Sequence, residues 1–261
     1  MGPIQDTIIQ VEKVSAGYKN TVVLQDVSFE VKRGEIFIIL GGSGSGKSTL
    51  LKLMIGLNKP ISGRIYIDGQ DIVSAEGNER LALLKKFGVM YQRGALFGSM
   101  TLLENVRLPL EEFTDLPPLA MDLIARMKLS LVGLKEFGNL LPAELSGGMQ
   151  KRAAIARAMA LDPRILFLDE LSAGLDPITS AELDHLVLSL AKNLGITFVI
   201  VTHELSSIYA IADRVIMLDK ELKGILADGR PQDLRDHSKN AFVHRFFNRQ
   251  GVTDTLAEKS S

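Results

Sequence analysis

Nine consecutive residues, Gly41-Gly42-Ser43-Gly44-Ser45-Gly46-Lys47-Ser48-Thr49, carry the plainest chemistry in the chain. In the spacing G-x4-G-K-S the glycines let the backbone curl, so that successive N–H groups point at phosphate oxygens. Lys47 can reach the β and γ phosphates of a bound nucleotide, and the Ser48 hydroxyl can ligate Mg²⁺. A second group is the acid pair Asp169-Glu170, which closes the apolar run Ile165-Leu166-Phe167-Leu168. There Asp169 would hold Mg²⁺, directly or through water, and Glu170 would polarise an attacking water. A third is Leu145-Ser146-Gly147-Gly148-Met149-Gln150, where two glycines at a helix head expose backbone N–H groups and Ser146 can cap or bond an anion. The chain thus holds two phosphate-binding devices about a hundred residues apart.

Strands and helices must place these groups. Ile36–Leu40 is five apolar residues in a row, a strand buried on both faces of a parallel sheet, and Leu50–Ile55 after the loop is helix-forming. Strands are expected at 7–12, 22–32, 64–69 (ended by a turn), 88–91, 164–169 and 197–202, with a turn at 16–20 that carries Tyr18. Asp169 then comes to the carboxyl edge of the sheet, beside the phosphate loop, where nucleotides bind. Residues 101–161 read as helical without a convincing strand. Thr101 three residues before Glu104 marks a capped start, and Pro117-Pro118 separates that helix from a second. In that second helix Leu119, Leu123, Met127 and Leu131 are expected to face the core. A helix at 179–194 between two strands argues for parallel crossovers. Short strands (214–219, 222–227), a terminal helix at 239–249 and a polar tail at 251–261 complete the chain.

Composition removes several alternatives. Of 261 residues, 46% are hydrophobic and 23% charged, with 30 Lys plus Arg against 31 Asp plus Glu, for a net charge of −1. That balance gives no electrostatic support for nucleic acid as a partner. Cysteine is absent, which excludes disulfides and thiolate metal sites. No apolar run approaches the length of a membrane span, and the N-terminus lacks the pattern of a secretory signal.

Taken together, residues 41–49, 145–150 and 165–170 resemble the nucleotide-binding subunit of an ABC transporter, over roughly residues 7–235. The resemblance implies an α/β P-loop NTPase fold with a mostly parallel core sheet, an N-terminal antiparallel β region and an inserted α-helical subdomain at about 95–161. It also implies a single ATPase domain over 7–235, with a C-terminal helix and polar tail at 236–261. In that family the signature LSGG-x-Q of one subunit closes over the γ-phosphate held by the other's phosphate loop. A homodimer in the ATP state, ATP and Mg²⁺ are therefore expected. Residue by residue, Tyr18 resembles the aromatic that stacks on adenine. Gln92 resembles the glutamine that approaches Mg²⁺ and water and senses the membrane partner. Ser172–Asp176 resembles the loop that crosses the dimer interface, and His203 the histidine that contacts the γ-phosphate. Catalytic roles then fall to Glu170, His203, Gln92 and Lys47, and metal contacts to Ser48, Gln92 and Asp169. Nucleotide contacts fall to residues 41–49 with Tyr18, Gln92, Asp169, Asp176 and Ser146, Gly147 and Gly148. Gly42 and Leu171 stand where the family commonly has proline, which softens local backbone restraint without removing a catalytic group.

The partner surface lies between Gln92 and Leu110. There Arg93-Gly94-Ala95-Leu96-Phe97 and Leu108-Pro109-Leu110 resemble the ATPases of the Mla/Mkl/TGD group, which energise lipid transport between membranes with a permease and a membrane-anchored substrate-binding protein. Thr114–Pro117 and Phe246–Arg249 look similar to that group too. This implies an ATPase subunit of a phospholipid transporter on the cytoplasmic face of the inner membrane, docked under integral-membrane permease subunits, with a lipid-carrier protein and a small regulatory subunit as further partners. An ATPase for another substrate class and a non-transport ABC module are the alternatives. The balanced charge and single phosphate loop argue against the latter.

Overall fold

Backbone pairing, more than local turn chemistry, decides where the first elements end. The computed structural model describes residues 6–18, 21–92 and 94–249; Lys19, Asn20, Arg93 and the tail, each part of an expectation above, lie outside them. Strand β1 (Thr7–Tyr18) pairs antiparallel with β2 (Thr21–Lys32) down to Tyr18↔Thr21. The strand therefore runs past residue 12, through the stretch expected to turn. Partners on both sides satisfy its backbone groups as far as Ser15, β2 alone pairs with it from there to Tyr18, and irregularities near Lys13 (φ 45°) absorb the misfit. Tyr18 ends the strand instead of decorating a turn.

The chain continues through β3 (Ile36–Gly41), α1 (Lys47–Met54), β4 (Ser62–Ile67), β5 (Gln70–Asp71), α2 (Gly77–Leu84) and β6 (Phe87–Met90). Helices α3 (Leu102–Phe113), α4 (Pro118–Leu131) and α5 (Gly147–Ala158) follow, with two short 3₁₀ turns between the last two. Then come β7 (Ile165–Asp169), α6 (Pro177–Leu194), β8 (Thr197–Val201), α7 (Leu205–Ile211), β9 (Arg214–Asp219), β10 (Gly224–Gly229), α8 (Pro231–His237) and α9 (Ala241–Asn248).

Two sheets result. The first is antiparallel, in the order β2-β1-β4-β5. The second runs β10-β9-β3-β8-β7-β6 and is parallel except for β10 on β9. Strand β3 has no polar face because both its sides are covered. Ile36, Ile38 and Leu40 join the core under α3–α7, while Phe37 and Ile39 join the core shared with α1 and the antiparallel sheet. Terminal helix α9 buries Val243 and Phe247 in the first of these cores.

Helix α3 starts with the expected capping box. Thr101 Oγ1 accepts from the Glu104 N–H, and Glu104 accepts from the Thr101 N–H at 2.7 Å. The expectation for α4 is overturned. Leu119, Leu123, Met127 and Leu131 are exposed, from 72% at Leu119 to 39% at Leu131, and the buried positions are Met121, Ala125, Lys128 and Leu129. This helix carries two apolar stripes of the same period, so periodicity alone could not choose between them. The stripe containing Ala125 packs inward, where a small side chain lets α3 and α5 approach closely.

Candidate nucleotide site

Strand order puts the candidate residues in line along one sheet edge. The carboxyl ends of β3, β8, β7 and β6 lie side by side, and at or just beyond them stand Gly41, His203, Asp169-Glu170 and Gln92. Three strand spacings of about 4.8 Å put the β3 and β6 ends roughly 14 Å apart. Gln92 is exposed two residues beyond β6.

Between β3 and α1 the loop has the shape its glycines allow. Gly41, Gly44 and Gly46 have φ of 152°, 76° and 100°. A Cβ on Gly41 would lie 2.5 Å from the Leu218 carbonyl oxygen, and one on Gly46 would lie 2.7 Å from Leu24 Cδ2, so neither position admits a side chain. Gly42 is different: a Cβ there meets nothing within 4 Å, so glycine is not sterically required where the family commonly has proline. Leu171, the other departure, is buried in the core. Lys47 Nζ donates to the Gly41 and Gly42 carbonyls at 2.8 and 3.0 Å, closing the loop on itself. The Ser45 hydroxyl is buried without a hydrogen-bond partner inside this loop. Ser43, Ser48 and Thr49 complete the turn into α1, and Thr49 Oγ1 lies 3.5 Å from the Tyr18 hydroxyl. That contact sets the half-exposed Tyr18 ring beside the same loop, where an adenine could stack.

Opposite the loop, Glu170 holds a left-handed backbone (φ 51°), uncommon for a non-glycine residue, and its Oε1 lies 3.0 Å from His203 Nδ1. Burial, and then the Glu170 charge, raise the Asp169 carboxyl above the usual range, against the pull of Lys151 and Lys47. Burial lowers the Lys47 ammonium, which Glu170 and Asp169 partly restore. A divalent cation would relieve the repulsion between the two acids. Ser48, Asp169 and the Gln92 amide supply hard oxygen donors of the kind Mg²⁺ takes alongside phosphate and water. Among the described residues no cluster of three or more His, Cys, Asp or Glu is poised to bind a metal by itself, so phosphate oxygens and water would have to complete the shell. A cavity of about 500 Å³ opens here, lined by Gly41, Gly42, Ser43, Lys47, Glu170 and His203, with Met217, Phe242 and Phe246. The two phenylalanines come from α9, and nothing in their sequence context marked them for this wall. A larger groove of about 960 Å³ over the antiparallel sheet has mixed charge and no phosphate-binding loop.

Ser146, Gly147 and Gly148 do not line this cavity. Ser146 caps α5, accepting from the Met149 N–H at 3.3 Å. A Cβ on Gly148 would lie 2.5 Å from Thr179 Cγ2, so α6 packs tightly on the signature glycines. Asp176 caps α6, accepting from the Ile178 and Thr179 N–H groups at 3.0 Å and from the Thr179 hydroxyl at 2.6 Å. Within one chain, then, Ser146–Gly148 take no part in the wall of the cavity that the phosphate loop lines. The buried Asn105 side chain was not singled out from sequence. Its amide nitrogen donates to the carbonyls of Phe97, Met100 and Thr101, and its oxygen accepts from the Phe97 N–H. It fixes the loop that presents the half-exposed Phe97.

A phosphate loop between a central parallel strand and a helix, facing an acid pair at a neighbouring strand end, defines a P-loop nucleotide hydrolase. The sequence model of the ABC transporter family matches residues 24–173, and the chain belongs to that family. It is similar to the intermembrane phospholipid transport system ATP-binding protein MlaF of Escherichia coli K12, 39% identical over 87% of this chain and 84% of that protein. It is also similar to the probable ribonucleotide transport ATP-binding protein mkl of Mycobacterium leprae, 38% identical over 92% of this chain and 68% of that one. Among solved structures, the ATP-binding cassette MJ0796, dimeric and bound to ADP and Pi, superposes with a TM-score of 0.77 at 32% identity, over 85% of this chain and 98% of that one. The cbiO1 protein of Clostridium perfringens, part of the ABC transporter complex cbiONQ, gives 0.82 at 30% identity, over 89% and 92%. The chain is an ABC ATPase that binds and hydrolyses ATP. None of its described helices is long and apolar enough to cross a membrane.

Proposed function

We propose that this chain is the ATPase subunit of a transporter that moves phospholipid between membranes. It works as a homodimer beneath integral-membrane permease subunits on the cytoplasmic face of the inner membrane. The likeness to MlaF over 84% of that protein's length carries the reading. The half-exposed Phe97 on its braced loop supports a permease dock between Gln92 and Leu110. A membrane-anchored lipid carrier and a small regulatory subunit complete the assembly. Residues 7–235 form the ATPase domain, with 95–161 as its helical subdomain.

In the nucleotide site Tyr18 stacks on the base, and the N–H groups of residues 41–49 cradle the phosphates. Lys47 exchanges its contacts with the loop carbonyls for β and γ phosphate oxygens. Ser48, Gln92 and Asp169 would hold Mg²⁺, which would supply charge neutralisation at the phosphates. Glu170 takes a proton from the attacking water, and His203, held through Nδ1, turns Nε2 to the γ-phosphate. The separation of Ser146–Gly148 from the cavity supports completion of each site by the second copy, with Asp176 near the seam. ATP binds the closed dimer better than the open one, so hydrolysis and product release reopen it.

Another cargo is the second reading, favoured by the ribonucleotide named for the mkl relatives. Purifying the chain with its permease and extracting bound small molecules separates the two. Phospholipid enriched over the bulk membrane supports lipid transport; nucleotide with no enriched lipid overturns it.

A further inference from the structure

Two cationic side chains of α5 are spent on backbone carbonyls of other elements. Lys151, only 7% exposed, donates from Nζ to the Gln92 carbonyl and, at 3.2 Å, to the Glu170 carbonyl. Arg157 donates to the Gly94 and Ala95 carbonyls at 2.8 and 2.7 Å. Between them the buried Ala154 of α5 abuts Gly94, where a Cβ would come within 3.3 Å of the Ala154 methyl. The loop lies down on the helix through left-handed residues, Gly94 at φ 70° and Ala95 at φ 50°. Charge-assisted bonds to carbonyls hold backbone, not side chains, so they fix the loop's position whatever its surface residues are.

The same helix begins at Ser146–Gly148, and Lys151 sits little more than one turn behind that tip. One ammonium therefore joins the start of the loop leading to the half-exposed Phe97 to the backbone of Glu170, and it belongs to the helix whose tip carries the glycines. We propose that Lys151 and Arg157 clamp the loop after Gln92 to α5, so that loop and glycine tip move as one body, with Lys151 carrying that body's position to Glu170. Lys151 is a positioning residue: it touches neither the cavity nor its phosphate loop. Its two bonds join the helical subdomain to the strand-end acid pair. A shift of the loop thereby alters both the grip offered to a second copy and the aim of Glu170 in the same chain.

The proposal rests on the assignment of Glu170 and on the ATPase activity, not on the cargo. It is tested on the full chain, without a permease, with Lys151→Met, Lys151→Arg, Arg157→Met and Glu170→Gln. Fluorescent ATP titration, single-turnover hydrolysis and amide hydrogen exchange are read for each. Lys151→Met is expected to keep ATP affinity within about twofold while hydrolysis falls about 10–100-fold, the cost of a misaimed catalytic group. Amide exchange over 94–96 and 146–150 rises together, about tenfold, as the charged hydrogen bonds are lost. Lys151→Arg restores most of the hydrolysis. Arg157→Met loosens the same two segments with a smaller loss of hydrolysis, since it does not reach Glu170. Hydrolysis by Lys151→Met within about twofold of the parent overturns the link to Glu170. Parallel loss of ATP affinity, hydrolysis and melting temperature in Lys151→Met, unrescued by arginine, also overturns it. Unchanged exchange over both segments in Arg157→Met overturns the clamp, even if Lys151→Met does not fold. Parental hydrolysis by Glu170→Gln would sink the Glu170 assignment instead, leaving the exchange result to judge the clamp.

Discussion

Replacing Glu170 by glutamine removes one charge and almost no volume from the acid pair. Glu170 Oε1 sits 3.0 Å from His203 Nδ1, and its carboxylate raises the neighbouring Asp169. If Glu170 takes the water's proton, its loss forfeits a general base, a contribution of about 10²–10⁴ in rate. At 1.36 kcal/mol per tenfold, that is about 2.7–5.4 kcal/mol of barrier. Binding should move the other way or not at all. The phosphate loop is untouched, and one negative charge facing the polyphosphate is gone. The contact is open to solvent on its His203 side, so its weakening costs about 1 kcal/mol, or about 2–4 °C in melting temperature. The assay pairs single-turnover hydrolysis with ATP titration and light scattering. A variant that binds ATP at least as tightly as the parent, turns over at least a hundredfold more slowly and accumulates as an ATP-loaded dimer meets the expectation. Hydrolysis within threefold of the parent, with ATP bound, would refute Glu170 as the base; a strictly monomeric loaded variant, alone and with its permease, would refute the two-sided grip.

Lys47→Ala removes the ammonium that closes the loop on Gly41 and Gly42, and ATP affinity should fall about tenfold or more, the worth of a charged hydrogen bond, by calorimetric titration. Asp169→Asn should melt higher than the parent without nucleotide, by about 0.5–2 kcal/mol, yet lose Mg²⁺-dependent hydrolysis. The sign follows from the raised carboxyl: folding favours its protonated form, so its contribution is present below the ordinary carboxylate pKa and is lost as pH rises through the folded value. The gain from Asp169→Asn should therefore shrink as pH falls into that range, in melts from pH 7 down to 4; a lower melting temperature at pH 7 would contradict the reasoning. Leu123→Lys and Met127→Lys should leave stability within about 0.5 kcal/mol, as surface changes do, whereas Leu129→Ala should cost about 2–5 kcal/mol in chemical denaturation.

The candidate motifs were legible because their residues are contiguous. Gly41–Thr49, Ser146–Gly148 and Asp169-Glu170 are each a few residues long, and each needs only its own backbone and the adjoining element. The capping box at Thr101 and the five apolar residues of β3 were readable for the same reason: local hydrogen bonding and total burial leave a local trace. Tertiary pairing decided what such traces could not. Ala16-Gly17-Tyr18 looked like a turn until β2 paired with it down to Tyr18↔Thr21. On α4 two apolar stripes shared one period, and only the neighbouring helices chose Ala125 and Leu129 for the core. Phe242 and Phe246 reached the cavity wall, Asn105 braced the Phe97 loop, and Lys151 joined Gln92 to Glu170 across 59 and 19 residues of sequence. Such partners are chosen by packing and by the need to satisfy buried polar groups, and neither leaves a pattern along a single chain.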